Sequence, residues 1–237
     1  MFDAGTASVI SNMNLREIVL AIGSLGTAAY GVVDASKGIG GGVSNFGFGD
    51  IKGVVSQSIA PSTAGGTGSS ALGLTSVLET LRANWMNGMA LSDQKAVAKS
   101  LIKLNLTTDS AGRMATAAGV DPAALKSVAG KLATGEALTQ AETDAYGRFD
   151  LLLSAMLDQG YQRGDQRYRN AAKLLAIPVS VILAVAGVLA LGGSTSSGVD
   201  MWKAILGGLL ATPLAPVAKD LSSAIQAGSK LAQTLKK

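Results

Sequence analysis

The sequence predicts an all-α integral membrane protein with three transmembrane helices, and three observations indicate this class. Of 237 residues, 48% are hydrophobic and only 15% are charged, whereas a typical soluble domain has about 25% charged residues. The segment 174–199 contains no charged residue. Two further apolar segments, 18–33 and 204–218, are long enough to form helices. We therefore expect three spans, a cytoplasmic helical domain, and a long helix that runs into the second span.

The second apolar segment is the strongest membrane signal. Its apolar part covers residues 171–193, which as a helix is about 35 Å long and can cross the ~30 Å hydrocarbon core of a bilayer. A cluster of basic residues precedes it, so the positive-inside rule places that end in the cytoplasm. We expect the following basic and aromatic residues at the membrane interface, in contact with lipid headgroups: Arg163, Arg167, Arg169, Lys173, Trp202, Lys203 and Lys219.

The first and third apolar segments are short. Residues 18–33 are uncharged but fall below the ~20 residues that a span needs, so a two-span hairpin, with this helix packed against cytoplasmic helices, is the alternative topology. Residues 204–218 can span only if Lys203 and Lys219 extend their ammonium groups to the interfaces. Small residues allow helices to approach closely, and proline interrupts helical hydrogen bonding. The predicted packing residues are Gly23, Gly26, Gly31, Gly187, Gly207 and Gly208, and the predicted kinks are at Pro178, Pro213 and Pro216.

These features divide the chain into six parts. We predict an external N-terminal tail and first transmembrane helix at 1–33, a Gly/Ser-rich loop at 34–73, a cytoplasmic helical domain at 74–138, a stalk helix with a collar of basic residues at 139–170, a transmembrane hairpin at 171–218, and an amphipathic basic tail at 219–237. The stalk begins at Thr139 and Glu142, which form a capping box. The GIGGGVSNFGFG run in the loop superficially resembles a phosphate-binding motif, but such a motif needs a preceding strand and a following helix, and we expect neither.

Residues 111–132 look like the helix-turn-helix of a DNA-binding protein. Asp121 and Pro122 form a strong start for the second helix. A DNA reader, however, needs Arg, Lys, Asn or Gln near that start to reach base edges, and this helix begins with Pro, Ala, Ala and Leu. We therefore expect no nucleic-acid binding.

The residue types limit the chemistry of the chain. It has no His and no Cys, which removes the commonest general base and metal ligand as well as every thiolate site. Four stalk carboxylates, at positions 144, 150, 158 and 165, are spread around their helix, so we interpret them as solvated surface. The lysines at positions 95, 99 and 103 are interpreted in the same way. We predict no enzymatic activity, no catalytic residue, no cofactor and no metal.

Two segments in the C-terminal third carry a resemblance to a family. The charged helix YQRGDQRYRN at 161–170 and the closing span GLLATPLAPVAKDL at 208–221 are similar to segments of uncharacterised bacterial inner-membrane proteins. This resemblance implies a multi-pass protein of the inner membrane and no specific activity. Together with the charge distribution it predicts an external N-terminus and a cytoplasmic C-terminus.

The predicted function is that of a structural or assembly subunit. Without catalytic residue types, and with small residues in its spans, the chain is expected to contact membrane lipids and to form a homo-oligomer or to scaffold the partners of a larger membrane complex. Two alternatives stay open. One is a subunit of an oligomeric pore or transporter, lined by Ser180, Thr212 and the glycines. The other is a membrane-tethered DNA-binding regulator.

Overall fold

The computed structural model describes residues 15–59, 72–192 and 198–234, and within them the chain is all-helical. The eight α-helices of this part are α1 Leu15–Ala35, α2 Asn45–Ser58, α3 Leu74–Met86, α4 Leu91–Leu104, α5 Ala111–Ala118, α6 Pro122–Thr134, α7 Gln140–Gly192 and α8 Gly198–Thr234. Two short 3₁₀ helices, Ser36–Gly38 and Gly42–Ser44, precede α2. The predicted external tail lies outside the described residues.

Three of these helices, α1, α7 and α8, are long and apolar enough to cross a membrane. The all-α class and the three apolar helices are therefore confirmed. The chain divides into two compact units. We call Met1–Val43 together with Asn170–Lys237 the apolar unit, and Ser44–Arg169 the globular unit. Helix α7 contributes to both.

The core of the globular unit is built from apolar residues that recur every three or four positions. Such spacing places them on one face of each helix. Helix α3 buries one stripe in this way, as its sequence predicts, and α4 and α7 bury others. The apolar residues that these three helices bury most completely in this core are Val77, Leu81, Ala98, Ile102, Phe149, Leu153, Leu157 and Tyr161, each no more than 2% exposed.

Helix α2 corrects the sequence interpretation, because residues 45–58 form a helix where a loop was predicted. Ile51 and Val55 bury one face of it in the core. The glycines that suggested flexibility serve contact instead. A Cβ atom on Gly47 would overlap the carbonyl oxygen of Gly164 on α7, and one on Gly160 would lie 2.8 Å from Cγ2 of Val54. The glycines thus let the two backbones touch.

The predicted helix starts are confirmed by their hydrogen bonds. At the start of α7, the Thr139 amide donates to Oε2 of Glu142 over 2.8 Å, and the Glu142 amide returns a weaker bond to Oγ1 of Thr139 at 3.4 Å. These are the two bonds of a capping box. At the start of α6, the Ala124 amide donates to Oδ2 of Asp121 over 2.9 Å, and Pro122 occupies the first turn.

In the apolar unit, the apolar part of α7 and helix α8 form an antiparallel pair. A Cβ atom on Gly208 would lie 2.5 Å from Cα of Val181. Val181 lies eleven residues before the end of α7 at Gly192, and Gly208 lies ten residues after the start of α8 at Gly198. A contact placed symmetrically about the connection means that the chain turns back on itself, as the predicted hairpin requires.

Helix α1 packs lengthwise on α8 and runs in the opposite direction. Gly23 meets Leu214 and Ala218, whereas Gly26, one turn further along α1, meets Ala211 and Ala215. Moving forward along α1 therefore means moving backward along α8. A crossing by all three helices, as the predicted topology has it, requires these two helices to run in the same direction, and this packing differs from that arrangement.

The prolines do not interrupt their helices. Helix α7 continues through Pro178, and α8 continues through Pro213 and Pro216, so none of the three unwinds its helix. A change of helix direction at these residues stays a prediction. Residues 219–234, predicted as a separate tail, continue α8 as one helix.

Candidate membrane-packing site

The apolar unit buries small residues and exposes large ones. Within this unit, the side chains that α7 and α8 bury are small, and they belong to Ala176, Ser180, Ala204, Ala211, Thr212, Ala215 and Ala218. The large apolar side chains that these two helices expose there are Leu174, Leu175, Ile182, Leu189, Trp202, Leu206, Leu209, Leu210 and Val217. Soluble proteins rarely expose apolar surface on this scale. Small residues between helices and large apolar residues outside are typical of helices packed in lipid.

Three of the six predicted packing glycines lie at helix contacts. Gly23 and Gly26 face α8, where a Cβ atom would overlap Ala218 and the carbonyl oxygen of Ala211, respectively. Gly208 faces α7, where a Cβ atom would lie 2.9 Å from the Val181 backbone nitrogen. No residue larger than glycine fits these positions unless the helices separate.

The other three predicted packing glycines are open. At Gly31, Gly187 and Gly207 a Cβ atom would meet no atom within 4 Å. Within the described part of the chain they therefore pack against no helix, which corrects the prediction for contacts inside one molecule. They leave small gaps on the outer surface, between larger apolar side chains.

Two buried hydroxyl groups of the hairpin have different surroundings. The Ser180 hydroxyl lies 2.7 Å from the Gly208 carbonyl oxygen on α8 and 2.8 Å from that of Ile177 in its own helix. The Thr212 hydroxyl has no hydrogen-bond partner among the described residues. In a helix it would ordinarily donate to the carbonyl four residues earlier, and that is the Gly208 carbonyl. Both hydroxyls are buried, so neither lines an open channel within one molecule.

Two arginines of the basic cluster are already paired within the globular unit. Nε of Arg167 lies 3.2 Å from Oδ2 of Asp50, which belongs to α2. Nε of Arg169 donates to Oδ2 of Asp165 over 2.7 Å. The first pair could not be predicted from the sequence, because Asp50 lies in the segment predicted to be a loop.

The remaining predicted interface residues are all exposed. Arg163 and Lys173 are exposed on α7, and Lys219 is exposed on α8. Trp202 is 66% exposed, and Nζ of Lys203 lies 3.6 Å from Oδ1 of Asp200. Lys203 thus has an ionic partner, as Arg167 and Arg169 do.

The lysines of α4 contact the aspartates of α7, which corrects their interpretation as solvated surfaces. Nζ of Lys99 lies 2.6 Å from Oδ2 of Asp150, and Nζ of Lys103 lies 3.0 Å from its Oδ1. Lys95 pairs with Asp158. Each carboxylate thus joins α7 to a helix about 50 or more residues away in the chain.

The pKa shifts in this region follow from these contacts. Burial raises the pKa of Asp150, but hydrogen bonds from Lys99 and Lys103 outweigh it, so the pKa lies below its ordinary value. Tyr146 and Asp150 raise the pKa of Lys103. Hydrogen bonds from Lys131 and from the Ser127 hydroxyl lower the pKa of Glu142 to about 2. Both carboxylates are therefore ionised at neutral pH, and both link helices.

The described part of the chain contains no group of three or more Asp or Glu residues that could hold a metal ion. No protein-family model, no curated protein and no solved structure matches the chain. The resemblance to bacterial inner-membrane proteins therefore stays a prediction from residues 161–170 and 208–221.

Proposed function

We propose that this protein is a non-enzymatic structural subunit of a membrane, which assembles with copies of itself or with partner proteins. The observation that carries the proposal is the distribution of residue size in the apolar unit, with small residues between the helices and large apolar residues outside. In the globular unit, the charged groups with shifted pKa values join helices to one another. Both units thus use their distinctive residues for packing.

We further propose that the membrane is the bacterial inner membrane and that the hairpin of α7 and α8 has both ends in the cytoplasm. The exposed Arg163 and Lys173 precede the apolar part of α7, and positive charge at the end of a span favours the cytoplasmic side. Lys219 at the end of the apolar part of α8 favours the same side. The C-terminus is then cytoplasmic, and the N-terminus is external whenever α1 crosses.

The open glycines support assembly through the outer face of the hairpin. A helix approaches another closely where a residue without a side chain faces outward. Gly187 on α7 and Gly207 on α8 are such positions, since a Cβ atom on either would meet no atom of another described helix within 4 Å. Leu206 and Leu210 stand beside Gly207 and are more than half exposed.

The oligomeric state in mild detergent tests the proposal. Size-exclusion chromatography with light scattering, together with cross-linking in native membranes, should give an assembly larger than one chain. Gly207→Leu should weaken that assembly, because the added side chain blocks close approach. Gly53→Leu is the matched control, since Gly53 also has an open Cβ position but lies in the globular unit. A strictly monomeric protein without any co-purifying partner contradicts the proposal.

An oligomeric pore or transporter subunit is the second candidate. The observation that favours it is the Thr212 hydroxyl, which has no hydrogen-bond partner among the residues that the structure describes. The next turn of α8 contains Pro216, which has no amide hydrogen to donate to the Thr212 carbonyl. Two oxygens of one residue in the apolar unit therefore lack their usual intrahelical partners. Ion flux across liposomes containing the protein tests this candidate, and Thr212→Val should reduce a flux that depends on these oxygens. No flux at any membrane potential would exclude it.

A further inference from the structure

The directions of the three apolar helices restrict how they can cross a membrane. Helix α1 is antiparallel to α8, as the contacts of Gly23 with Ala218 and of Gly26 with Ala211 show. The apolar part of α7 is also antiparallel to α8, through the contact of Val181 with Gly208. Consequently α1 and the apolar part of α7 run in the same direction.

Consecutive crossings of one bilayer must alternate in direction, because a chain that has left the membrane on one side can enter again only from that side. Between α1 and the apolar part of α7, the described residues 36–59 and 72–169 contain no other candidate span. The twelve residues 60–71 would reach only about 18 Å as a helix, which is too short to cross. The packing seen here and a crossing by all three helices are therefore incompatible.

Helix α1 also covers the full apolar length of α8. Gly23 lies opposite residues 214 and 218, and Gly26 lies opposite residues 211 and 215. This antiparallel register places Glu17 level with about residue 222, and Asp34 level with about residue 205, if both helices rise uniformly. The charged ends of α1 therefore match the charged ends of the apolar part of α8. A docked α1 cannot stay on one side of a bilayer that α8 crosses.

We infer that α1 is a detachable helix with two mutually exclusive states. In the docked state it lies along α8, as in this structure, and the three helices do not all cross the bilayer. In the crossing state it leaves α8, and this uncovers the small residues Ala211, Ala215 and Ala218. The inference rests on helix directions alone and is independent of the proposed assembly role.

Because the chain has no cysteine, introduced cysteines can report both states in one molecule. A disulfide between Gly23→Cys and Ala218→Cys reports docking. It needs Cβ atoms about 3.8 Å apart, so the helices need to separate only slightly. In a parallel arrangement the two positions would be offset by about 12 Å along the helix axis, which is too far for a disulfide. Labelling with a membrane-impermeant maleimide at Ser11→Cys, Ser100→Cys or Ser223→Cys reports the side of each segment.

Crossing by all three helices puts residue 11 on one side and residues 100 and 223 together on the other. We expect molecules with the disulfide never to show this labelling pattern. Disulfide-linked molecules that do show it overturn the inference. A cysteine pair that forms no disulfide in membranes or in mild detergent overturns it as well, since the docked state would then be absent.

Substitutions without cysteine at the contact provide a second test. Gly26→Leu should shift the population from the docked to the crossing state, because even its Cβ atom would overlap the Ala211 carbonyl oxygen. Gly31→Leu adds the same side chain to the same helix at an open position and should leave the population unchanged. An equal response of the two variants, or no response of Gly26→Leu, contradicts the existence of two states.

Discussion

Asp150 should contribute more to the stability of the globular unit than any solvated carboxylate of α7. Its side chain is 28% exposed and accepts hydrogen bonds from two lysines of α4, at 2.6 and 3.0 Å. Exposed ion pairs contribute about 0.2–1 kcal/mol each. Two pairs on one partly buried carboxylate give about 0.4–2 kcal/mol. For a chain of this size, 1 kcal/mol corresponds to roughly 2–4 °C in Tm. Asp150→Asn should therefore lower Tm by about 1–8 °C.

Thermal unfolding of the full chain in a non-ionic detergent measures this effect. The chain has two tryptophans, so Trp202→Phe leaves Trp85, which is buried in the globular unit, as the only fluorescent reporter of its kind. Asp144→Asn is the matched control, because Asp144 is an exposed carboxylate of the same helix and accepts a hydrogen bond from Gln140, one turn away. Its change should stay within about 0.5 kcal/mol, as for other surface substitutions.

The pH dependence of stability gives an independent check. The folded-state pKa of Asp150 lies below its ordinary value, so its contribution is fully present above the unfolded pKa of about 3.9. The contribution disappears as the pH falls through the folded pKa, because the carboxyl group is then protonated in both states. The difference between the Asp150→Asn variant and the parent should therefore shrink below about pH 4. Equal losses for Asp144→Asn and Asp150→Asn, or a difference that persists unchanged to pH 2, refute this reasoning.

Three further predictions concern helix starts and contacts. Glu142→Gln removes the charge that caps α7 and faces a lysine of α6, so amide hydrogen exchange should speed up at residues 139–143. In the parent protein these amides should stay protected from exchange down to about pH 2, where Glu142 becomes protonated. Gly164→Leu should destabilise the globular unit by 2 kcal/mol or more, on the order of other overpacked sites, because a Cβ atom there would lie 2.7 Å from a carbonyl oxygen of α2. Gly53→Leu, at an open position, should be neutral in the same denaturant titration. Ser180→Ala should cost about 0.6 kcal/mol, an average hydrogen bond between membrane helices. Thr212→Val should instead be neutral or stabilising, because the lost hydroxyl has no hydrogen-bond partner in the described part of the chain. Losses of equal size for these last two variants in thermal unfolding would contradict the assignment of their hydrogen bonds.

Local signals in the sequence determined the helical class, the three apolar helices and the starts of α6 and α7. The capping box at Thr139 and Glu142 and the N-cap at Asp121 depend on residues within four positions of each other. Their hydrogen bonds form as the spacing predicts. The length of an apolar run is likewise a property of the run itself, so it can be read without knowledge of the fold.

Tertiary contacts decided the helical state of residues 45–58, the ion pairs of Asp150 and the direction of α1, because each of these features depends on residues that are distant in the sequence. Composition predicted a loop around Gly47, yet this segment is a helix whose glycines touch the backbone of α7. From the sequence alone, the carboxylate of Asp150 is interpreted as a solvated surface group. In the structure it lies beside two lysines of α4, about 50 residues away in the chain.

The direction of α1 was equally out of reach for the sequence. A small-residue face such as that of Gly23 and Gly26 permits close packing against either a parallel or an antiparallel neighbour. The direction of α1 is decided by the surface that it packs against, which is formed by Ala211, Ala215 and Ala218 on α8. The two surfaces lie some 190 residues apart in the chain, so the pattern within either helix alone does not predict the direction.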